Sequence, residues 1–274
     1  MTRTGTPVSL FTEDCLAGMR ARLADGSVDA VVTSPPYNLG TAYSAYDDRK
    51  SPADYLDWME LVVREIKRVL ADDGSVFLNI GGTGKNPWLP FDVASRFRSH
   101  FVLQNQIVWV KSIVLPKYTL RSYPQILEDM AVGHYKPLRG RRFLHSAYEF
   151  IFHFTKTGDV SVDRLAVGVP YQDKSNIGRW GVGQDRRCRG NTWFIPYRTI
   201  TSRRKDRPHP ASFPVELAEM CLKLHSRERT RLVLDPFLGI GSTGVACRRL
   251  GLPFVGFDVD GDYLAEARKR IDLG

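Results

Sequence analysis

The 274-residue sequence has only four cysteines, Cys15, Cys188, Cys221 and Cys247, and no two of them form a Cys-x-x-Cys pair. That scatter speaks against a zinc site and against a disulfide framework, and leaves small buried apolar residues or idle thiols. The six histidines are equally dispersed, none at ligand spacing, so no metal is expected. No run of about 18 apolar residues occurs, which excludes a membrane-spanning helix. Residues 1–6 lead into only a short apolar stretch without a signal-peptide core, so the cytoplasm is the expected location.

A hydrophobic content of 43% over this length allows one good core with an appended region, or at most two small domains. Net charge is +9, and its placement says more than its size. Between Lys117 and Arg207 stand 18 Lys/Arg against 8 Asp/Glu, leaving the remainder of the chain near neutral. Such a local excess reads as a polyanion-binding surface on a neutral body, or as a solvated basic face.

Strand and helix patterns alternate along the chain. Val8–Phe11 alternates like a strand, Asp14 follows as a strand-end carboxylate or helix N-cap, and a helix is expected over Cys15–Leu23. Val28–Val32 is nearly all apolar, as in a parallel strand covered on both faces, and completes a βαβ unit. Ser51 and Pro52 start an amphipathic helix running to Leu70, and Asp73-Gly74 opens a strand over Ser75–Ile80. A helix is expected over Ala94–Phe101, a strand over Gln106–Lys111, and another over Tyr148–Lys156, where Phe150, Phe152 and Phe154 alternate. A helix over Val215–Leu224, a strand over Leu232–Leu234, a helix over Val245–Leu250 and a strand over Phe254–Asp258 follow. The alternation predicts an open, mostly parallel α/β sheet, with the late adjacent strands as an antiparallel hairpin at its edge.

Two stretches interrupt the pattern with arginines interleaved among aromatics, a mixture suited to phosphate contacts and base stacking. One is an insertion carrying Arg139, Arg141 and Arg142. The other, from Thr157, is loop-rich and carries Arg179, Arg186, Arg187, Arg189, Arg203 and Arg204, with strand-like composition returning at Asn191–Tyr197.

Two loops carry the chemistry. Val28–Val32 feeds into Thr33-Ser34-Pro35-Pro36-Tyr37, where two prolines fix a rigid extended turn and leave Ser34 Oγ and the Pro35 carbonyl able to meet a polar donor such as an amino group. The polar segment Gly40–Lys50 after it is free to fold over a substrate. Near the end of the chain, Asp235-Pro236-Phe237-Leu238-Gly239-Ile240-Gly241-Ser242-Thr243-Gly244 is a glycine turn between strand and helix, but no Gly-Lys-Ser/Thr closes it, so it is not a phosphate loop. Asp258 ends the next strand, where a carboxylate can accept both hydroxyls of a ribose.

Ser-Pro-Pro-Tyr resembles the Asp/Asn/Ser-Pro-Pro-Tyr/Phe motif of the S-adenosylmethionine-dependent methyltransferases that modify exocyclic amino groups of DNA bases. The Asp235–Gly244 loop resembles the cofactor loop of that family, and His209-Pro210-Ala211-Ser212-Phe213-Pro214 looks like its third cofactor segment. The order, with the catalytic motif before the basic region and the cofactor loop last, is similar to the permuted β class. The resemblance spans nearly the whole chain.

It implies a Rossmann-like S-adenosylmethionine-dependent methyltransferase sheet with an inserted basic, loop-rich target-recognition region. The expected divisions are a catalytic half over 1–112, a basic insertion over 113–147, a return strand over 148–156, a target-recognition region over 157–207 and a cofactor-binding half over 208–274. By similarity, Phe237, Gly239, Gly241, Ser242 and Thr243 hold the methionine end of the cofactor, Asp258 the ribose and Asp14 the adenine amino group. Ala211 and Phe213 close the pocket, Cys15 and Pro236 flank it, and Asp235 braces the loop or approaches the cofactor's ammonium. Ser34, Pro35, Pro36 and Tyr37 form the catalytic turn, acting on a flipped base in double-stranded DNA by direct in-line transfer. No Pro-Cys dipeptide occurs, which argues against cytosine C5 chemistry. A serine in the first motif position resembles the cytosine-N4 enzymes; adenine N6 is the alternative, followed by an inactive DNA-binding regulator on the same fold. A homodimer, and a restriction endonuclease acting on the same site, are partners the resemblance allows.

Overall fold

The computed structural model describes residues 6–40, 45–84, 86–115, 117–120, 127–132, 141–144, 146–180, 183–198 and 212–274. In chain order the first half comprises β1 (Val8–Thr12), α1 (Cys15–Arg22), β2 (Val28–Thr33), α2 (Pro52–Val69), β3 (Leu70–Ile80), α3 (Leu89–Arg98) and β4 (Val102–Leu115). Then come β5 (Met130–Val132), β6 (Tyr148–Thr155), a short α4 (Asn176–Trp180), β7 (Thr192–Arg198), α5 (Val215–His225), β8 (Val233–Asp235), α6 (Ser242–Leu250), β9 (Phe254–Asp258) and α7 (Gly261–Leu273).

The apolar run that becomes β2 is buried at every position. It stands near the middle of a nine-stranded sheet of order β1-β9-β8-β2-β3-β6-β4-β5, with β7 also paired to β4. β1, β9, β8, β2 and β3 run parallel, while β6 is antiparallel to both β3 and β4. Period-2 alternation divides the core between the two faces of the sheet. Ala30, Val32, Phe77 and Ile151 pack with α5, α6 and α7 on one face. Val31, Val76, Leu78, Phe152 and Phe154 pack with α1, α2 and α3 on the other. Each of the valine, leucine, isoleucine and phenylalanine side chains contributes about 1.5–3 kcal/mol by leaving water.

From β2 the chain crosses to α2 and β3; from β8 it crosses to α6 and β9 on the opposite face and in the opposite direction. The adjacent strands β8 and β2 therefore form the point where strand order reverses, and a crevice opens outside their carboxyl ends.

Several elements differ from the sequence expectation. The pair β4 and β6 is antiparallel as expected, but β6 lies inside the sheet, between β3 and β4, with β5 and β7 beyond. β3 begins at Leu70, directly after the helix, and Gly74 is needed because a Cβ there would lie 2.7 Å from Leu70 Cγ. α3 starts at Leu89, five residues early, since Pro90 sits in its first turn, where a missing N–H costs nothing. β7, from the loop-rich segment, pairs with β4 and buries Trp193 and Ile195 in the core. α7 has no counterpart in the sequence expectation: its largely polar sequence shows only Leu264, Ala267 and Ile271 to the core. Among the described residues no helix is long and apolar enough to cross a membrane.

Candidate active site

The turn after β2 is held at both ends. Tyr55 Oη donates to the Pro36 carbonyl at 2.8 Å, and Thr33 Oγ1 donates to Asp235 Oδ1 at 2.7 Å. Ser34 Oγ donates to Tyr37 Oη at 3.1 Å, which leaves the serine lone pairs free. Tyr37 Oη also lies 3.2 Å from Glu149 Oε2 and receives Asn79 Nδ2 at 2.9 Å. Burial first, then the Glu149 charge, pushes the Tyr37 phenol well above its ordinary pKa, so it stays protonated. Asn38 follows with a left-handed φ of 53°, and its neighbourhood clasps the Gly40–Lys50 segment: Asp48 accepts from the backbone N–H groups of Asn38 and Leu39, and the Asn38 amide exchanges two hydrogen bonds with the Lys50 backbone. Residues 41–44 of that segment lie outside the described residues.

The glycine loop after β8 approaches from the neighbouring strand. Gly239, at φ 51°, donates its N–H to Asp258 Oδ2 at 2.7 Å, and Asp258 Oδ1 accepts from Asp260 N at 2.9 Å. Burial raises the Asp258 pKa, yet each oxygen keeps a lone pair for a further donor. Ser242 Oγ donates to the Phe213 carbonyl at 2.9 Å, tying the glycine loop to the segment before α5. Asp14 caps α1 through Oδ1 alone, accepting from Leu16 N and Ala17 N.

Both loops open into one cavity of about 500 Å³. Asp14, Cys15, Ser34, Pro35, Pro36 and Tyr37 reach it from β1 and β2. Phe213, Pro236, Phe237, Gly239, Ser242 and Asp258 reach it from the opposite side. Gly241 and Thr243, expected at the methionine end of the cofactor, stand a layer behind instead, and Asp235 takes the bracing place, one of its two expected ones. Asp235 is buried, accepting from Thr33, from Thr243 Oγ1 at 2.8 Å and from Phe237 N, and burial pushes its pKa up to about 6. Thr243 is fully buried against it, and Gly241 (φ 77°) gives α7 room, since a Cβ there would lie 2.9 Å from Ala267 Cβ. Ala211 lies outside the described residues.

Sequence reasoning missed much of the wall. Trp58, one residue off the apolar stripe of α2, sits 5.5 Å from Phe237 ring to ring and 5.8 Å from Tyr46. Asn79, Lys111 and Glu149 form a polar wall beside Tyr37. Gly81 makes space for it, because a Cβ there would lie 2.6 Å from Glu149 Cγ. No short spacing links these residues, so only the pairing of β3, β6 and β4 reveals them.

A family model described as DNA methylase, covering N6 and N4 methyltransferases, matches residues 28–269. This chain belongs to the DNA methylase family. Among curated relatives, the Type II methyltransferase M.BglII from Bacillus subtilis is 28% identical over 257 residues, covering 88% of this chain and 63% of the relative. The Type II methyltransferase M.XycI from Xanthomonas campestris pv. cyanopsidis is 27% identical, covering 96% of this chain and 87% of the relative. The chain therefore spans less than two thirds of M.BglII's length and most of M.XycI's. Among solved structures, the PvuII DNA methyltransferase (cytosine-N4-specific) matches with a TM-score of 0.68 at 21% identity, covering 97% of this chain and 87% of that one. The M1.HpyAVI–SAM complex matches with a TM-score of 0.55 at 19% identity, covering 96% and 99%.

Among the described residues, the candidate DNA-contacting arginines stand apart from the cavity. Arg141 and Arg142 are exposed, Arg142 lying over the Phe143 ring, and Arg179 is exposed on α4. Arg186 and Arg189 donate to the carbonyls of Ala166 and Val167, so they brace a loop as well as carrying charge, and Arg187 reaches the Cys188 carbonyl. Arg139, Arg203 and Arg204 lie outside the described residues.

Proposed function

We propose that this chain is a site-specific DNA methyltransferase that transfers a methyl group from S-adenosyl-L-methionine to the N4 amino group of cytosine in double-stranded DNA. The observation that carries the reading is the meeting of the Ser34–Tyr37 turn and the Phe237–Gly241 loop in one cavity, at the ends of adjacent strands. The residues present fit the cofactor: Asp258 offers lone pairs to a ribose, the outer oxygen of Asp14 offers one to an adenine amino group, and Phe213 and Phe237 supply apolar walls. Bound there, the cofactor supplies an electrophilic methyl on a sulfonium.

The chain's own groups prepare the acceptor. An exocyclic amino nitrogen is a poor nucleophile because its lone pair is delocalised into the ring. Ser34 Oγ, its proton committed to Tyr37, accepts a hydrogen bond from one amino hydrogen and the Pro35 carbonyl from the other, which favours a pyramidal nitrogen with an available lone pair. Once methylated, that nitrogen gives up one of the two hydrogens as a proton to water. The Tyr37 ring stacks on the base, which must leave the duplex to reach the cavity. Positioning and electrostatics then carry the reaction, with no covalent enzyme intermediate. The serine in the first motif position supports cytosine over adenine.

Incubation with mixed-sequence duplex DNA and labelled S-adenosylmethionine, followed by digestion to nucleosides and mass spectrometry, tests this. N4-methylcytosine is expected. N6-methyladenine would keep the site and overturn the base, and a protein that binds no S-adenosylmethionine would be an inactive DNA-binding relative.

A further inference from the structure

The polar wall beside Tyr37 has a chemistry the transfer step does not use. Asn79 on β3, Glu149 on β6 and Lys111 on β4 come to the cavity from three neighbouring strands. Lys111 Nζ pairs with Glu149 Oε1 at 3.0 Å, the two side chains being 17% and 16% exposed. Asn79 Nδ2 donates to Glu149 Oε2 at 2.6 Å and to Tyr37 Oη at 2.9 Å. The carboxylate fixes the orientation of that amide, because the reverse would set Asn79 Oδ1 against a negative oxygen. Asn79 Oδ1 is thereby turned away, buried, with no hydrogen-bond partner among the described residues. Glu149 engages one N–H of the Lys111 ammonium, which carries three. The wall thus presents a cationic donor, Lys111 held by Glu149, to whatever fills the cavity, while Asn79 Oδ1 is enclosed within the wall.

A base edge that ends in an acceptor complements this donor. Cytosine presents its amino group, then N3 and the O2 carbonyl; adenine presents its amino group and N1, but a C2–H where cytosine has O2. Resting on the cytosine reading above, we propose that Lys111, aimed by Glu149, donates to the O2 carbonyl of the flipped cytosine and is the residue that sets base specificity. Adenine in this place leaves Lys111 its pair with Glu149 but removes the second acceptor that cytosine O2 supplies, and sites built to bond a polar group reject analogues that lack it strongly.

The test uses the full chain and duplexes carrying its methylated sequence with cytosine or adenine at the target position. kcat/KM for each duplex, product identity and S-adenosylmethionine binding are measured for the wild type, Lys111→Met and the double variant Lys111→Met/Glu149→Gln. The double variant avoids an unpaired Glu149 that would by itself disturb folding. The expected result is a cytosine-to-adenine ratio lowered by at least about 100-fold through loss on cytosine, with cofactor affinity within about 3-fold. A ratio unchanged in both variants, or cofactor binding lost in both, would make the pair structural and overturn the proposal while leaving the cytosine reading intact. A wild-type product of N6-methyladenine would instead remove that reading and this inference with it.

Discussion

Ser34 Oγ gives its proton to Tyr37 and turns its lone pairs to the cavity, while the carboxylates at the far wall belong to β9 and to the start of α1. Ser34→Ala is therefore expected to cut methyl transfer by at least about 100-fold while S-adenosylmethionine affinity, read by calorimetry, stays within a few fold. Loss of cofactor binding would move the catalytic centre elsewhere. A second residue-scale feature lies deeper. Asn105 Nδ2 meets His153 Nδ1 at 2.9 Å, His153 Nε2 meets Ser75 Oγ at 2.9 Å, and Ser75 Oγ meets His225 Nδ1 at 3.0 Å. With Nδ1 accepting from Asn105, His153 is neutral and donates through Nε2 to Ser75, whose own proton can then go to a neutral His225. Burial holds His153 down to about 3 and His225 to about 4. The unfolded state thus binds protons that the folded state refuses between about 6.5 and 4, so this contribution is complete above about 6.5 and is lost as pH falls. His225→Asn is expected to flatten the slope of unfolding free energy against pH in that window by about 1.4 kcal/mol per pH unit, measured by urea unfolding. An equal slope in both proteins would mean that His225 titrates normally.

Between elements, one buried staple joins the two functional loops. Thr33 at the end of β2 donates to Asp235 at the end of β8, Thr243 at the start of α6 bonds the other Asp235 oxygen, and Thr243 Oγ1 also lies 3.1 Å from the Val32 carbonyl. When Asp235 is neutral, its proton goes to Thr243, whose hydroxyl then serves Val32, so the network is satisfied in either state. Thr33→Val leaves a buried carboxyl short of a donor and is expected to cost about 1–3 kcal/mol in urea unfolding; a change below about 0.5 kcal/mol would show that water or another donor replaces it. Element boundaries show why local reading falls short. The β3 start at Leu70 is set by pairing with β2 ahead of the Asp73-Gly74 signal, and α3, with Pro90 in its first turn, packs against α2.

For the whole molecule, the charge excess between Lys117 and Arg207 is the feature that a duplex would meet. Because Arg186 and Arg189 also brace the 166–167 backbone, Arg179 and Arg187 give the cleaner test. Arg179→Ala with Arg187→Ala is expected to weaken DNA binding at low salt and to lower the slope of log K against log salt by about 1 for each phosphate no longer neutralised; an unchanged slope would take both out of the interface. The same scale separates what was legible from what was not. The buried run of β2, the alternating phenylalanines of β6, the rigid Ser34–Tyr37 turn and the glycine loop with Asp258 were readable in sequence, because each is a local pattern whose backbone or periodicity follows from neighbouring residues. The Lys111–Glu149–Asn79 wall, the Thr33–Asp235 staple across 202 positions, the interior place of β6 and the recruitment of β7 into the core were decided only by tertiary structure. They arise from strand order and register, which bring together single polar residues far apart in the chain, and no local spacing encodes that.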